Sequence, residues 1–179
     1  MMNNEELLQK LLQLEERIKV LEMRENKHTS KEKKEDWLNN HIDGIKFKDF
    51  YGTIQITDED IDYLSIENFT NTICHILINH ITRSDSEQHA IWCFNDSKTI
   101  YIYNQSWKKL DINDINDLFY HLNTKLLHKL FMWANAHKDA IYNSKKKDSE
   151  LLAMNAKKLS DAKIYYTDFR KYIHNALTS

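Results

Sequence analysis

The chain has no proline among its 179 residues and only two glycines, Gly44 and Gly52. Proline ends or kinks helices and glycine weakens them, so a chain with so little of either has few fixed stops. The sequence is therefore expected to form long helices. Its length suits one domain of ordinary size with a short appendage.

The amino-terminal segment carries a heptad pattern of apolar residues. Residues 5–25 read EELLQKLLQLEERIKVLEMRE. The a and d positions of the heptad are occupied by Leu7, Leu11, Leu14, Ile18 and Leu21. A repeat of this kind buries its a and d side chains between neighbouring helices. We predict a coiled-coil oligomerisation helix over residues 1–25.

The charges beside this seam favour a parallel arrangement. Lys10 at position g faces Glu15 at the next e position of the neighbouring helix, and Arg17 faces Glu22 in the same way. The fragment from Arg17 to Glu22 also follows a pattern found in short trimeric coils, which dimeric coils carry as well. The predicted assembly is therefore a parallel dimer or trimer.

The pattern leaves one alternative open. Leu8 and Leu12 lie outside the seam and widen the apolar face, as in an amphipathic helix that packs on its own domain. After the heptads, residues 26–36 contain no apolar side chain and are expected to form a polar linker. An interaction domain is then predicted over residues 37–179.

The first part of this domain is predicted to contain two strands and two helices. Residues 44–50 and 52–57 have the pattern of short strands. Thr57, followed three residues later by Asp60, is typical of a helix start, and Ser65 with Asn68 suggests a second start. Apolar residues from Ile66 to Ile81 follow helical spacing.

The next part is predicted to form a small sheet. Residues 91–94 and 100–103 are expected to form a hairpin around the polar turn at residues 95–98. Alternation places Ile100 and Ile102 on one face of the sheet and Tyr101 and Tyr103 on the other. Trp107 and Leu110 are expected to close this sheet over a helix.

Two long helices are predicted for the remainder. Asp111 or Asp114 is expected to cap the first, which runs to about Ala134, and a polar break follows at residues 143–147. The last helix is predicted from Asp148, with apolar residues at seven-residue spacing: Leu152, Leu159, Tyr166 and Ile173. The predicted fold class is α+β: an N-terminal parallel coiled-coil helix, followed by a small antiparallel sheet packed on a long helical hairpin.

A family resemblance covers residues 90–135. There the chain combines Trp92-x-Phe94-x-Asp96, a Tyr-Ile-Tyr strand, Trp107-Lys108-Lys109-x-Asp111 and a helix with Trp133. This series resembles an uncharacterised carboxy-terminal module in proteins of nucleocytoplasmic large DNA viruses. The resemblance implies a viral protein of the host cytoplasm or the virion, with no assigned chemistry and no catalytic residues to carry over. Without it, the expectation is a soluble intracellular protein.

The last segment of the chain is rich in basic residues. Those that are candidates for contact with nucleic acid or a partner are Lys145, Lys146, Lys147, Lys157, Lys158, Arg170 and Lys171. Basic side chains together with aromatic ones suit nucleic-acid binding, while the solvated outer face of a helix explains them equally well. A nucleic-acid-associated accessory protein is therefore the alternative function.

The residues that most resemble a catalytic or metal site do not have the required pattern. Asp58, Asp60 and Asp62 have the first spacings of a calcium loop, but Tyr63 stands where glycine is needed and Phe69 where glutamate is needed. These acids suit a helix start instead. The cysteines and histidines from residue 74 to residue 93 match no common zinc spacing, and neither glycine belongs to a phosphate-binding loop.

We therefore predict no metal, no cofactor and no catalytic residue, and a metal- or thiol-dependent enzyme that uses these cysteines and histidines is the third hypothesis. The longest uncharged window, residues 68–82, is too short and too polar to cross a membrane. The predicted function is that of a non-enzymatic, self-associating interaction or structural protein, which the resemblance places in viral assembly.

Overall fold

The computed structural model of the chain describes residues 33–83, 89–138 and 146–178. The predicted coiled coil over residues 1–25 lies outside these ranges, together with all of its predicted contact residues: Leu7, Leu11, Leu14, Arg17, Ile18, Leu21 and Glu22. The chain divides into two compact units, Met1–His41 and Ile42–Ser179. The boundaries of the coiled coil and linker remain predictions.

The described part of the first unit is one helix, α1, at Lys34–His41. It includes the last three residues of the segment predicted as a linker. Glu35 and Asp36 lie in its first turn, where negative charge favours the helix dipole. Near its end, the rings of Trp37 and His41 stack with their centroids 5.0 Å apart.

The second unit combines helices with a small sheet. Its elements are α2 Phe47–Thr53, α3 Asp58–Ile66, α4 Phe69–Arg83, β1 Ile91–Cys93, β2 Ile100–Tyr103, β3 Trp107–Lys109, α5 Ile112–Ala136, α6 Lys146–Ser160 and α7 Tyr166–Thr178. The three strands form one antiparallel sheet in the order β1-β2-β3. Across the residues that the structure describes, seven helices and this sheet confirm the predicted α+β class.

The sheet contains the predicted hairpin and one further strand. Trp92 pairs with Tyr101, and both Ile100 and Ile102 are buried, as their alternation predicts. Tyr101 on the other face is buried as well. Trp107, predicted only to close the sheet, instead begins a third strand.

Two capping boxes define helix starts that the sequence predicts. The backbone N–H of Thr57 donates to Asp60 Oδ2 over 2.8 Å, and the N–H of Asp60 donates back to Thr57 Oγ1 over 3.3 Å. Asp111 and Asp114 form the same reciprocal pair at the start of α5. Each box satisfies backbone donors that a helix start leaves without intrahelical partners.

Helix α4 begins later than predicted. Its first turn is capped by Asn68, whose Oδ1 accepts a hydrogen bond from the N–H of Asn71 over 2.9 Å. Ser65 belongs to the preceding helix, where its hydroxyl donates to the carbonyl of Ile61 over 3.0 Å. The predicted start at Ser65 is therefore wrong.

The two strands predicted over residues 44–57 are also wrong, because residues 47–53 form helix α2. The buried residues Phe47, Phe50, Tyr51 and Ile54 recur at intervals of three, four and seven, which place them on one face of a helix. The β-branched residues of this stretch suggest strands, but burial of that face determines the conformation.

The single last helix predicted from Asp148 is in fact two helices, α6 and α7, separated by residues 161–165. At this break, the hydroxyl of Thr70 donates to the carbonyl of Lys163 over 3.0 Å and accepts from the N–H of Tyr165 over 3.1 Å. Thr70 is buried, so its side chain replaces hydrogen bonds that the interrupted helix gives up. The predicted long helical hairpin is thus shortened to α5 and α6.

Helix α5 lies at the centre of the core. Phe119 packs edge-on against Phe69 of α4 and Phe169 of α7, with ring centroids 5.6 Å and 5.3 Å away. Helix α5 also contacts α2, α3 and α6, while α7 contacts α4 and β1. The break before α7 therefore directs the chain from one side of the core to another.

Candidate interaction surfaces

Helix α5 has an exposed apolar face opposite its buried one. We define the apolar stripe as Tyr120, Leu127 and Phe131, which are 76%, 45% and 63% exposed. Their spacing of seven and four residues places them along one side of the helix. The opposite side is buried and carries Ile115, Leu118, Leu122, Leu126 and Leu130.

The exposure of this stripe distinguishes it from ordinary surface. Single exposed apolar residues are common, but a row of three large ones, two of them aromatic, has the composition of protein-binding surfaces. Leu127 and Phe131 lie next to the buried Leu126 and Leu130 in the sequence, and the sequence alone does not separate exposed from buried residues here. The structure makes that separation.

Lys158, one of the predicted basic contact residues, serves the fold instead. Its ammonium donates to the carbonyl oxygens of Leu64, Ser65 and Glu67 over 2.6, 2.8 and 2.9 Å. These carbonyls end helix α3, where a cation is favourable. Burial lowers the pKa of the Lys158 ammonium, and the charge of Glu67 partly opposes that effect.

Of the other predicted basic residues, one also supports the fold and two are exposed. Arg170 donates from a terminal guanidinium nitrogen to the carbonyl of Leu110 over 2.9 Å, so it also supports the fold. Lys157 and Lys171 are exposed. Lys146 and Lys147 lie in the first turn of α6, and Lys145 falls outside the described ranges.

Lys125 is a second lysine that supports the fold, and its sequence surroundings do not single it out. Its ammonium donates to the carbonyls of Gly52 and Ile54 at the end of α2, over 2.7 and 2.5 Å. Burial lowers the pKa of this ammonium. A lysine next to leucines on a helix is the only sequence signal for this role. The sequence does not identify its acceptors, because they lie more than 70 residues away.

Neither cysteine has the properties of a reactive thiol. Burial, together with the charge of Asp168, raises the pKa of Cys74 to about 12. Burial alone raises the pKa of Cys93 to about 12. A nucleophilic or metal-binding cysteine needs a thiolate, and both environments favour the neutral thiol at neutral pH.

The nearby histidines make local contacts. His75 stacks on Tyr63 with ring centroids 4.0 Å apart, and its Nε2 accepts from Asn79 Nδ2 over 2.9 Å. His80 Nε2 lies 3.0 Å from the hydroxyl of Thr53. Burial and the charge of Lys125 lower the pKa of His80. In the ranges that the structure describes, no group of three or more His, Cys, Asp or Glu residues is placed to hold a metal ion.

The acids near residue 60 belong to the start of α3. Asp60 is buried and accepts hydrogen bonds from both the N–H and the hydroxyl of Thr57. Asp58 forms an ion pair with Lys129 of α5 at 2.9 Å. Both carboxylates lie at a helix start, as the sequence predicts, and the ion pair of Asp58 with α5 is an additional contact.

No known protein family, curated protein or solved structure matches the chain. Within residues 33–83, 89–138 and 146–178, no helix is both long and apolar enough to cross a membrane.

Proposed function

We propose that this chain is a non-enzymatic, self-associating interaction protein. A parallel coiled coil over residues 1–25 joins two or three copies, and the domain of each copy presents the apolar stripe of α5 to a protein partner. The stripe is the structural observation that supports the proposal. The heptad pattern is the sequence observation that supports self-association.

The stripe suits a protein partner because its exposed aromatic rings offer large contact areas at low cost in side-chain entropy. A partner that covered Tyr120 and Phe131 would remove both rings from water. Joining two or three copies strengthens binding to a repeated partner, because the second contact becomes intramolecular. A structural or assembly role in a virus fits this arrangement, and it rests on the family resemblance of residues 90–135.

The environments of the cysteines agree with a non-enzymatic role. Catalytic thiols need a lowered pKa, whereas burial raises the pKa of Cys74 and of Cys93. The alternative, nucleic-acid association through the basic residues after position 145, has less support. Lys158 and Arg170 already donate hydrogen bonds within the domain, and the basic residues are divided between two helices.

The mass of the protein in solution tests the proposal. Light scattering of the whole chain should give the mass of a dimer or trimer, and the fragment 37–179 should give the mass of a monomer. A monomeric whole chain would refute self-association. Binding of the protein to single-stranded DNA that weakens steeply with added salt would favour the alternative.

A further inference from the structure

A cavity of about 400 Å³ lies beside helix α7, next to the segment that joins β1 and β2. It is lined by Lys98, Thr167, Arg170, Lys171, His174 and Asn175. The other four residues from α7 lie three, four, seven and eight positions after Thr167, so all five share one face of that helix. Lys98 approaches the same space from the hairpin.

Most of the surface that faces this cavity is apolar, and every charged residue in its lining is basic. Lys98, Arg170 and Lys171 contribute positive charge, and none of the residues around the cavity is acidic. Within the described ranges, none of these three cations forms an ion pair with a carboxylate. The acid of helix α7, Asp168, lies outside the lining and acts instead on Cys74. A bound anion would be attracted by these three positive charges, with no carboxylate in the lining to oppose it.

Two of the polar groups are held in place by the backbone. His174 Nε2 lies 2.8 Å from the carbonyl oxygen of Ser97. A carbonyl oxygen can only accept, so Nε2 carries the proton and donates. Arg170 donates to the carbonyl of Leu110 over 2.9 Å. The other N–H groups of Arg170 have no partner among the described residues. A ligand would meet side chains that are already positioned, which lowers the cost of binding.

We propose that this cavity binds a small phosphate-bearing anion. A guanidinium and two ammonium groups suit the several oxygens of a phosphate, and the hydroxyl of Thr167 adds a hydrogen-bonding group. The volume lies in the range of small-molecule sites. The same phosphates occur in nucleic acid, but that ligand requires an extended basic surface. The cationic residues of this site lie around one recess.

Isothermal titration calorimetry of the whole chain with inorganic pyrophosphate tests the proposal. The titration is compared with sodium chloride at equal ionic strength and with a single-stranded oligonucleotide. The test variant is Lys98→Ala/Lys171→Ala, which leaves the two backbone-bonded residues intact. The control is Lys157→Ala/Lys163→Ala, which removes the same charge from exposed positions outside the cavity. Unfolding curves of both variants establish that each is folded.

Saturable pyrophosphate binding that weakens by about tenfold or more in the test variant, and is unchanged in the control, is the expected result. Equal loss in the two double variants would overturn the proposal, because it would show only a general response to charge. Absence of saturable binding would overturn it too. Binding of the oligonucleotide without binding of pyrophosphate would replace the small anion with nucleic acid.

Discussion

The hydroxyl of Thr70 lies 3.0 Å from the carbonyl oxygen of Lys163, which is 93 residues further along the chain. The same hydroxyl accepts the N–H of Tyr165 at 3.1 Å. One buried side chain of α4 therefore fixes the break between α6 and α7. The contact lies immediately before α7, the helix that supplies five of the six residues lining the cavity.

Thr70→Val should destabilise the domain by about 1–2 kcal/mol, because it keeps the shape of a buried side chain and leaves the N–H of Tyr165 and the carbonyl of Lys163 without their partner. Chemical denaturation at matched protein concentration measures the loss. Thr82→Val is the control, since the Thr82 hydroxyl is exposed and bonds only within its own helix. Equal effects of the two substitutions would show that Thr70 does not hold the break.

Gly44→Ala should cost about 1–3 kcal/mol, because a Cβ at this position would overlap the ring of Tyr103. Gly52→Ala is the matched substitution: a Cβ there meets nothing within 4 Å, and alanine suits a helix better than glycine by up to about 1 kcal/mol. The unfolding midpoints should thus move in opposite directions. A neutral Gly44→Ala would contradict the close approach of residue 44 to β2.

Much of this fold is predictable from local sequence. The capping boxes at Thr57 and Asp111 and the hairpin around residues 95–98 depend on neighbours within a few positions, and all three are present. The break at residues 161–165 depends on Thr70, which the seven-residue spacing through Leu159 and Tyr166 does not reveal. Non-local contacts of this kind override local periodicity.

The apolar stripe and the roles of the basic residues are less predictable from sequence, because they too depend on non-local contacts. Helix α5 is apolar on much of its circumference, so sequence alone does not show that Phe119 is buried while Phe131 is 63% exposed. Lys158 and Arg170 look like surface cations until their carbonyl partners in other elements are known. The acceptors of both residues lie at least 60 positions away.

The native thiols should react slowly with iodoacetamide. At pH 7.5, a pKa of about 12 for Cys74 and Cys93, against an ordinary 9.0, lowers the thiolate fraction by about a thousandfold relative to the unfolded chain. Mass spectrometry measures the labelling rate of each cysteine in buffer and in denaturant. Rapid labelling of the folded protein would contradict the raised pKa values.

The same pKa values predict how stability depends on pH. Burial favours the neutral thiols in the folded state. Their contribution to the free energy of unfolding is therefore fully present below about pH 9, the ordinary pKa at which the thiols of the unfolded chain ionise. Above that pH the unfolded chain loses protons first, and the free energy of unfolding falls as pH rises toward 12. Cys74→Ala/Cys93→Ala should reduce this decline, and an unchanged pH profile would show that the thiols do not cause it.

Phe131→Ser should leave both the stability and the mass of the whole chain nearly unchanged. Its side chain is 63% exposed and belongs to the stripe that we assign to a protein partner, not to self-association. Phe119→Ser, the same change in the core, should cost about 3–5 kcal/mol. A lower mass for Phe131→Ser in light scattering would instead make the stripe a contact between copies.

Assembly through the amino-terminal helix is tested by the mass in solution of the whole chain carrying Ile18→Lys. This substitution places a charge in the middle of the predicted a/d seam, whereas Val20→Lys places one at an outward position. Light scattering should give a folded monomer for Ile18→Lys and an unchanged dimer or trimer for Val20→Lys. An Ile18→Lys variant with the mass of the unsubstituted oligomer would contradict assembly through this helix.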